Sequence, residues 1–357
     1  MNLDECIQLH ISGQIDAAER GYLSLIAENC ATSVAYENLA IICLVSGRIA
    51  EGIEFLHSAI ALNPLNPESY LNLGVALKEQ RDYDGALACW QKAIALKPDY
   101  PEAHNNLGIA AGEQGQLDRA IDCYRTALAI RPDYSDAHYN LGNTLRAHGR
   151  LDEAISSYRS ALAFRPNYVD AFLNLGNCFA ELDQLGESIS CFEQALVVSP
   201  GYPRVCLNLG GAYTRQGKFD EAIAVLTQGL ANAPDYAELH NNLGLAYREK
   251  GQFEEAIQCY GRALARNANY PEAHVNLGLA LKDAGKLPEA IAEYRKALEL
   301  RPTYYEAGNN LATALLAQGC LDEAIDCYQS AWLLASESLA DTSPVKKLGT
   351  LLNELHR

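Results

Sequence analysis

Nine asparagines recur at one fixed interval in this 357-residue chain. Asn38, Asn72, Asn106, Asn140, Asn174, Asn208, Asn242, Asn276 and Asn310 each open an Asn-Leu-Gly or Asn-Leu-Ala triplet, and each step is 34 residues. A side-chain amide carries one acceptor and two donors, the set needed to pair with a peptide N–H and C=O without reading the side chain. This chemistry is recognition rather than bond-making. The chain has no GxSxG, no HExxH, no Walker loop and no dinucleotide fingerprint. Carboxylates are plentiful but periodic, so they form no isolated acid/base pair. Eleven cysteines include five on one repeating position, Cys89, Cys123, Cys191, Cys259 and Cys327, never as CxxC. They read as small apolar residues rather than metal ligands or disulfide partners. No metal, cofactor or catalytic residue is expected. The chain reads as a binding protein and not as an enzyme.

The elements that position the amides follow from the same period. A second ladder runs through Gly13, Gly47, Arg81, Gly115, Gly149, Asp183, Gly217, Gly251, Gly285 and Gly319. A third runs through Pro64, Pro98, Pro132, Pro166, Pro200, Pro234 and Pro302, with Ala268 in its one gap. PEAHNNLGIAAGEQ, from Pro101, is predicted to be a first helix, with proline in its first turn and an acid behind it. The turn at Gly115 follows, and then LDRAIDCYRTALAI, a second helix. Its apolar residues Leu117, Ala120, Ile121, Tyr124, Ala127 and Leu128 form one helical stripe. A glycine inside a helix costs roughly 1 kcal/mol against alanine. The recurring Gly108 position therefore implies a compensating close contact, with Tyr124 beside it. The reading is all-α, with nine units starting at 33, 67, 101, 135, 169, 203, 237, 271 and 305 and filling residues 33–338. Residues 1–32 form a shortened outermost unit. ASESLADTS is read as a polar connector, and within residues 339–357 PVKKLGTLLNELHR is read as a capping helix with Val345, Leu348, Leu351, Leu352 and Leu355 on one side.

These offsets resemble the tetratricopeptide repeat family, a 34-residue helix–turn–helix with Leu-Gly, Tyr, Gly, Ala, aromatic, Ala and Pro at set places. The resemblance covers residues 33–338. It implies a right-handed α-solenoid superhelix of about ten units whose first helices line a concave groove. The asparagine row and the PDYPEA-type junctions are similar to the O-linked N-acetylglucosamine transferase branch, where such asparagines hold an extended peptide. The row from Asn72 to Asn310 is accordingly the candidate peptide-binding ladder. Helices packed roughly 8–10 Å apart beside a chain advancing about 3.3 Å per residue would place one amide per three ligand residues. The competing reading is that each amide ties its first helix to a neighbour. On the ligand reading, alanine at Asn140, Asn174 and Asn208 should weaken capture and leave folding intact.

Other groove positions set the expected partner. Acids precede the asparagine by four (Glu68, Glu102, Asp136, Asp170, Glu238, Glu272, Glu306) and follow it by seven (Glu79, Glu113, Glu181, Glu249, Asp283). Lys78, Arg146, Arg248 and Lys282 intervene, giving either a solvated mixed face or a groove for neutral or basic peptides. The residue before the asparagine is never lysine, so the carboxylate clamp of chaperone-binding relatives is missing. His104, His138, His240 and His274, two before the row, read as fillers of helix contacts. In the first full unit, Ile41, Leu44 and Val45 form an apolar patch that is either covered by the amino-terminal segment or an interface for a partner or a second copy. The formal charge of −17 argues against nucleic acid and anionic membranes. No apolar stretch is long enough to span a bilayer, and the acidic amino terminus lacks a signal-peptide pattern. A cytoplasmic protein is expected. Two further readings are the recognition arm of a larger glycosyltransferase-like enzyme and a homo-oligomeric scaffold.

Overall fold

A computed structural model describes residues 1–28 and 30–338, with side chains in the last helix described as far as Ala331. Twenty helices and no strand lie among the described residues. The first ten are α1 (Leu3–Ile11), α2 (Ile15–Ala27), α3 (Ser33–Val45), α4 (Ile49–Leu62), α5 (Pro67–Glu79), α6 (Tyr83–Leu96), α7 (Pro101–Glu113), α8 (Leu117–Ile130), α9 (Ser135–Ala147) and α10 (Leu151–Phe164). Then come α11 (Val169–Glu181), α12 (Leu185–Val198), α13 (Pro203–Arg215), α14 (Phe219–Asn232), α15 (Ala237–Glu249) and α16 (Phe253–Arg266). The last four are α17 (Pro271–Asp283), α18 (Leu287–Leu300), α19 (Tyr305–Gln318) and α20 (Leu321–Ser338). Contacts divide the chain into two units, Met1–Cys178 and Phe179–Arg357, with the boundary inside α11.

Within each unit the helices pair in order. α3 packs on α4, α5 on α6, α7 on α8 and α9 on α10; in the second unit α13 packs on α14, α15 on α16, α17 on α18 and α19 on α20. Second helices also touch the next first helix, as α8 touches α9 and α16 touches α17. Most first helices run 13 residues and most second helices 14. Proline opens α5, α7, α13 and α17, where its missing N–H costs no helical bond.

The glycine–aromatic contact expected from the sequence is present. A Cβ built on Gly108 would lie 2.6 Å from Cε1 of Tyr124, and one on Gly142 would lie 2.7 Å from Cε1 of Tyr158. The backbone of the first helix therefore lies directly on the ring. Tyr158, Tyr260, Tyr294 and Trp90 are fully buried there, each ring contributing about 2 kcal/mol by burial. Between the helices of a pair the turn residue lies in the left-handed region, φ +74° at Gly115. Arg81 (φ 66°) and Asp183 (φ 58°) occupy the same turn with a Cβ that this region disfavours.

One boundary differs from the sequence reading. α20 continues to Ser338, so the first four residues of ASESLADTS are helical rather than connector. No glycine or proline interrupts that run, and nothing local stops the helix. The capping segment with Val345, Leu348, Leu351, Leu352 and Leu355 lies outside the described residues.

Candidate peptide-binding surface

Each asparagine of the row sits in the middle of a first helix, and all nine are half-buried. What each amide touches is decided by the first helix before it. The residues one before and three after an asparagine are four apart, so they stack on one helix face. That face meets the next asparagine. Asn140 Nδ2 donates to Asn105 Oδ1 at 3.0 Å, and Asn276 Nδ2 to Asn241 Oδ1 at 3.0 Å. Asn174 Nδ2 donates to Tyr139 Oη at 3.2 Å and to Asn143 Oδ1 at 2.8 Å. Asn143 Oδ1 also accepts from the buried Tyr158 hydroxyl at 2.8 Å, which joins this amide to the core. The acceptors Asn105 and Asn241 are only 4% and 6% exposed, so they depend on these donors.

Asn72, Asn106 and Asn310 differ because the residue 35 before each is different. Leu71 and Val275 offer Asn106 and Asn310 no acceptor. Glu37, before Asn72, is taken by Asn66 Nδ2 at 2.5 Å and by the Ser69 hydroxyl. None of these three amides bonds another side chain among the described residues. Asn242 accepts from Asn241 Nδ2 at 3.4 Å, and its own nitrogen lies against the bare backbone at Gly211. Asn38 and Asn208 occupy the same helical position. The expectation that alanine leaves folding intact is therefore corrected at Asn140 and Asn174, whose amides hold the preceding helix.

Several acids of this surface are paired with cations of the same or a neighbouring repeat. Arg131 reaches Glu102 at 2.7 Å, Arg165 reaches Asp136 at 2.8 Å and Arg301 reaches Glu272 at 2.7 Å, each from the linker that follows the repeat. Further along the helices, Lys78 pairs with Glu113 at 2.8 Å and Arg248 with Asp283 at 2.7 Å. Such half-exposed pairs stabilise by about 0–1 kcal/mol each, yet together they balance cation against acid between adjacent repeats. Glu68, Glu79, Glu238 and Glu306 belong to the same two rows.

The histidines pin linkers. Nε2 of His104, His138 and His240 donates to the carbonyls of Pro98, Pro132 and Pro234, each at 2.9 Å. His274 lies 3.4 Å from the Ala268 carbonyl through Nε2 and 2.6 Å from a Glu293 carboxylate oxygen through Nδ1. Sequence reading placed these rings in helix contacts but missed the linker carbonyl six residues earlier; the alignment of the histidine and proline ladders held that signal. All eleven cysteines are free. Burial pushes the Cys89, Cys206 and Cys259 thiols up to about 11, so they stay protonated and unreactive. Of the amino-terminal apolar residues, Val45 is 85% exposed and Ile41 half-buried. Leu44 packs instead into the cluster of Ala40, Leu56 and Leu73, beside Gly52, and so belongs to the core. Ile11, 75% exposed, takes the Val45 place one repeat earlier.

Comparison with known proteins agrees with this architecture. Residues 99–303, more than half of the chain, match the tetratricopeptide family model described as the Cilia and flagella-associated protein 70 C-terminal domain. Shorter tetratricopeptide repeat models match residues 58–88, 77–115 and 275–333. The chain belongs to the tetratricopeptide repeat family. Among solved structures, the APC/C hetero-tetramer Cut9–Hcn1 is similar over 84% of this chain and 59% of that one, at 18% identity and a TM-score of 0.55. This tetratricopeptide chain thus spans 59% of that relative's length, and the likeness is one of fold. TTC0263, a thermophilic TPR protein of Thermus thermophilus, aligns at 29% identity over 51% of this chain and 99% of its own (TM-score 0.43). YrrB, a TPR protein with an unusual peptide-binding site, aligns at 18% identity over 52% and 95% (TM-score 0.44). No curated protein matches the chain. A tetratricopeptide repeat of this kind is a scaffold suited to protein–protein interaction. No helix among the described residues is long and apolar enough to cross a membrane.

Proposed function

We propose that this protein acts without catalysis, capturing extended, neutral or basic segments of partner proteins along its first helices. The observation that carries this reading is the pair of uncommitted amides at Asn72 and Asn106. They stand on consecutive first helices of one unit, half-buried, with donors and acceptor available. Each hydrogen bond to a ligand backbone is worth roughly 0.5–1.5 kcal/mol net, so two adjacent rungs shift affinity by about one order of magnitude. Asn310 extends the same role in the second unit, where Asn242 offers a partly engaged amide. Asn174 contributes through its oxygen, because both of its donors already hold the preceding helix, whereas Asn140 and Asn276 each keep one N–H beside the oxygen. The apolar residues Ile41 and Val45 lie on the same helix face as Asn38, three and seven positions further on, and supply side-chain contact beside the backbone-reading amides.

The test is an array of synthetic unstructured peptides probed with the wild-type protein. Binders are then measured against an Asn72→Ala/Asn106→Ala double variant and as backbone N-methylated copies. Binding is expected to fall about tenfold in both cases. Undiminished affinity in the double variant with unchanged circular dichroism would overturn the reading.

A further inference from the structure

The position two before the asparagine carries a ring in seven of nine repeats: Tyr36, Tyr70, His104, His138, Phe172, His240 and His274. Cys206 and Gly308 are the exceptions. In the repeat before Gly308, the His274 ring lies against the Ala268 carbonyl and the Glu293 carboxylate. Adding 34 to these three residues gives Gly308, Pro302 and Cys327. All three line one cavity of about 310 Å³, closed by Leu298, Tyr304 and Ala331. The ring that the preceding repeat builds into its own structure is thus missing here, and the walls that would hold it remain.

Two details say what would fill the space. The carbonyls of Pro98, Pro132, Pro234 and Ala268 each face a histidine Nε2, and that of Pro200 accepts from Asn232 Nδ2 at 3.3 Å. The Pro302 carbonyl has no donor among the described residues, as is also true of Pro64 and Pro166, whose repeats carry Tyr70 and Phe172 at the ring position. Meanwhile the walls are mainly apolar. Around His240 a wider cavity opens outside the ring, but Glu255, Arg262 and Arg266 make its walls charged. The Gly308 cavity combines an absent ring, mainly apolar walls with Asp326 and Ser330 among them, and an unused carbonyl acceptor. Its size is at the lower end of the range for ligand sites, suited to one ring rather than a larger molecule.

We propose that the Gly308 cavity binds one flat aromatic ring with an N–H or O–H on its edge, the histidine, tryptophan or tyrosine side chain of a partner protein. The site lies between α18, α19 and α20 and stands independently of the asparagine row. Such a partner presents its ring to the walls of Leu298, Tyr304 and Cys327 and its edge donor to Pro302.

Saturation-transfer NMR on the full chain tests this, with N-acetyl-tryptophanamide and N-acetyl-histidine methylamide as probes, N-acetyl-leucinamide as the ringless control and free indole as a fourth probe. Saturable binding of the two ring probes at roughly millimolar concentration is expected, with the leucine control at least tenfold weaker. Gly308→His restores the sibling residue and should abolish binding. A Cβ there would come within 3.3 Å of the Ala331 Cβ, so that helix must yield slightly. Ser330→Trp therefore serves as a second blocking variant from the exposed side of α20, and it should abolish binding too. Equal binding of the leucine control overturns the proposal, as does binding unchanged in both folded variants. Binding of indole alone, without either blocked amino acid, overturns the assignment to a protein side chain.

Discussion

Replacing Asn140 with alanine removes the one donor that Asn105 Oδ1 accepts, a bond of 3.0 Å to an amide that is 4% exposed. Leaving a buried acceptor unsatisfied costs about 1–3 kcal/mol. Asn106→Ala, one repeat earlier in the same column, removes no side-chain bond among the described residues and should stay within about 0.5 kcal/mol. Because a repeat array loses stability locally, the appropriate assay is native-state amide hydrogen exchange. Protection in α7 and α9 should fall about five- to a hundredfold in Asn140→Ala, since each 1.4 kcal/mol is tenfold. It should hardly change in Asn106→Ala. A third variant isolates the cause: Asn105→Leu with Asn140→Ala copies the Leu71 environment of Asn106 and leaves no orphaned acceptor. It should recover most of the lost protection. Equal losses in the two single variants, or no recovery in the double variant, would refute the assignment of Asn140 to packing.

Three further outcomes follow from the packing. Arg81→Gly relieves a Cβ at φ 66° and should stabilise the first unit by about 1 kcal/mol, read as a higher urea midpoint with unchanged slope. Gly108→Ala should instead destabilise by about 1–3 kcal/mol, despite alanine's better helix propensity, because its Cβ would sit 2.6 Å from the Tyr124 ring; the same urea titration shows it. Burial raises Tyr124, Tyr260 and Tyr294 above the ordinary tyrosine value, and pushes Tyr100 and Tyr270 up to about 12. Their neutral forms are favoured in the folded state. The native protein then holds more protons than the unfolded chain above pH 10, so stability is intact below about pH 10 and falls between 10 and 12. Melting temperatures by circular dichroism should decline over that window as tyrosinate absorbance rises.

The helix pairs were legible because their determinants are local: proline at the first turn, glycine at Gly115, a small residue facing Tyr124. A 34-residue period makes each such feature visible many times over. The state of each amide was not legible from its own column, because Asn106 and Asn140 look alike there. What separates them is Leu71 against Asn105, residues on another helix that meet the amide only after packing. The fate of the first-helix acids was hidden for the same reason. Glu102 and Asp136 look like exposed charge in sequence, yet Arg131 and Arg165 return to them from the far end of each repeat. Leu44 misled because a nearly all-apolar helix shows no stripe, and its burial is decided by the neighbours Ala40 and Leu56.

The step of 35 between an asparagine and its acceptor has a consequence for how such a chain can change over generations. A substitution at position 71 or 105 alters nothing in its own rung of the row, but it releases or locks the amide of the following one. Each repeat thus holds the switch for its successor, and duplicating or excising one whole repeat rewrites a single junction while leaving every other amide in its former state. A surface organised this way can gain or lose a contact point without any mutation at the contact itself.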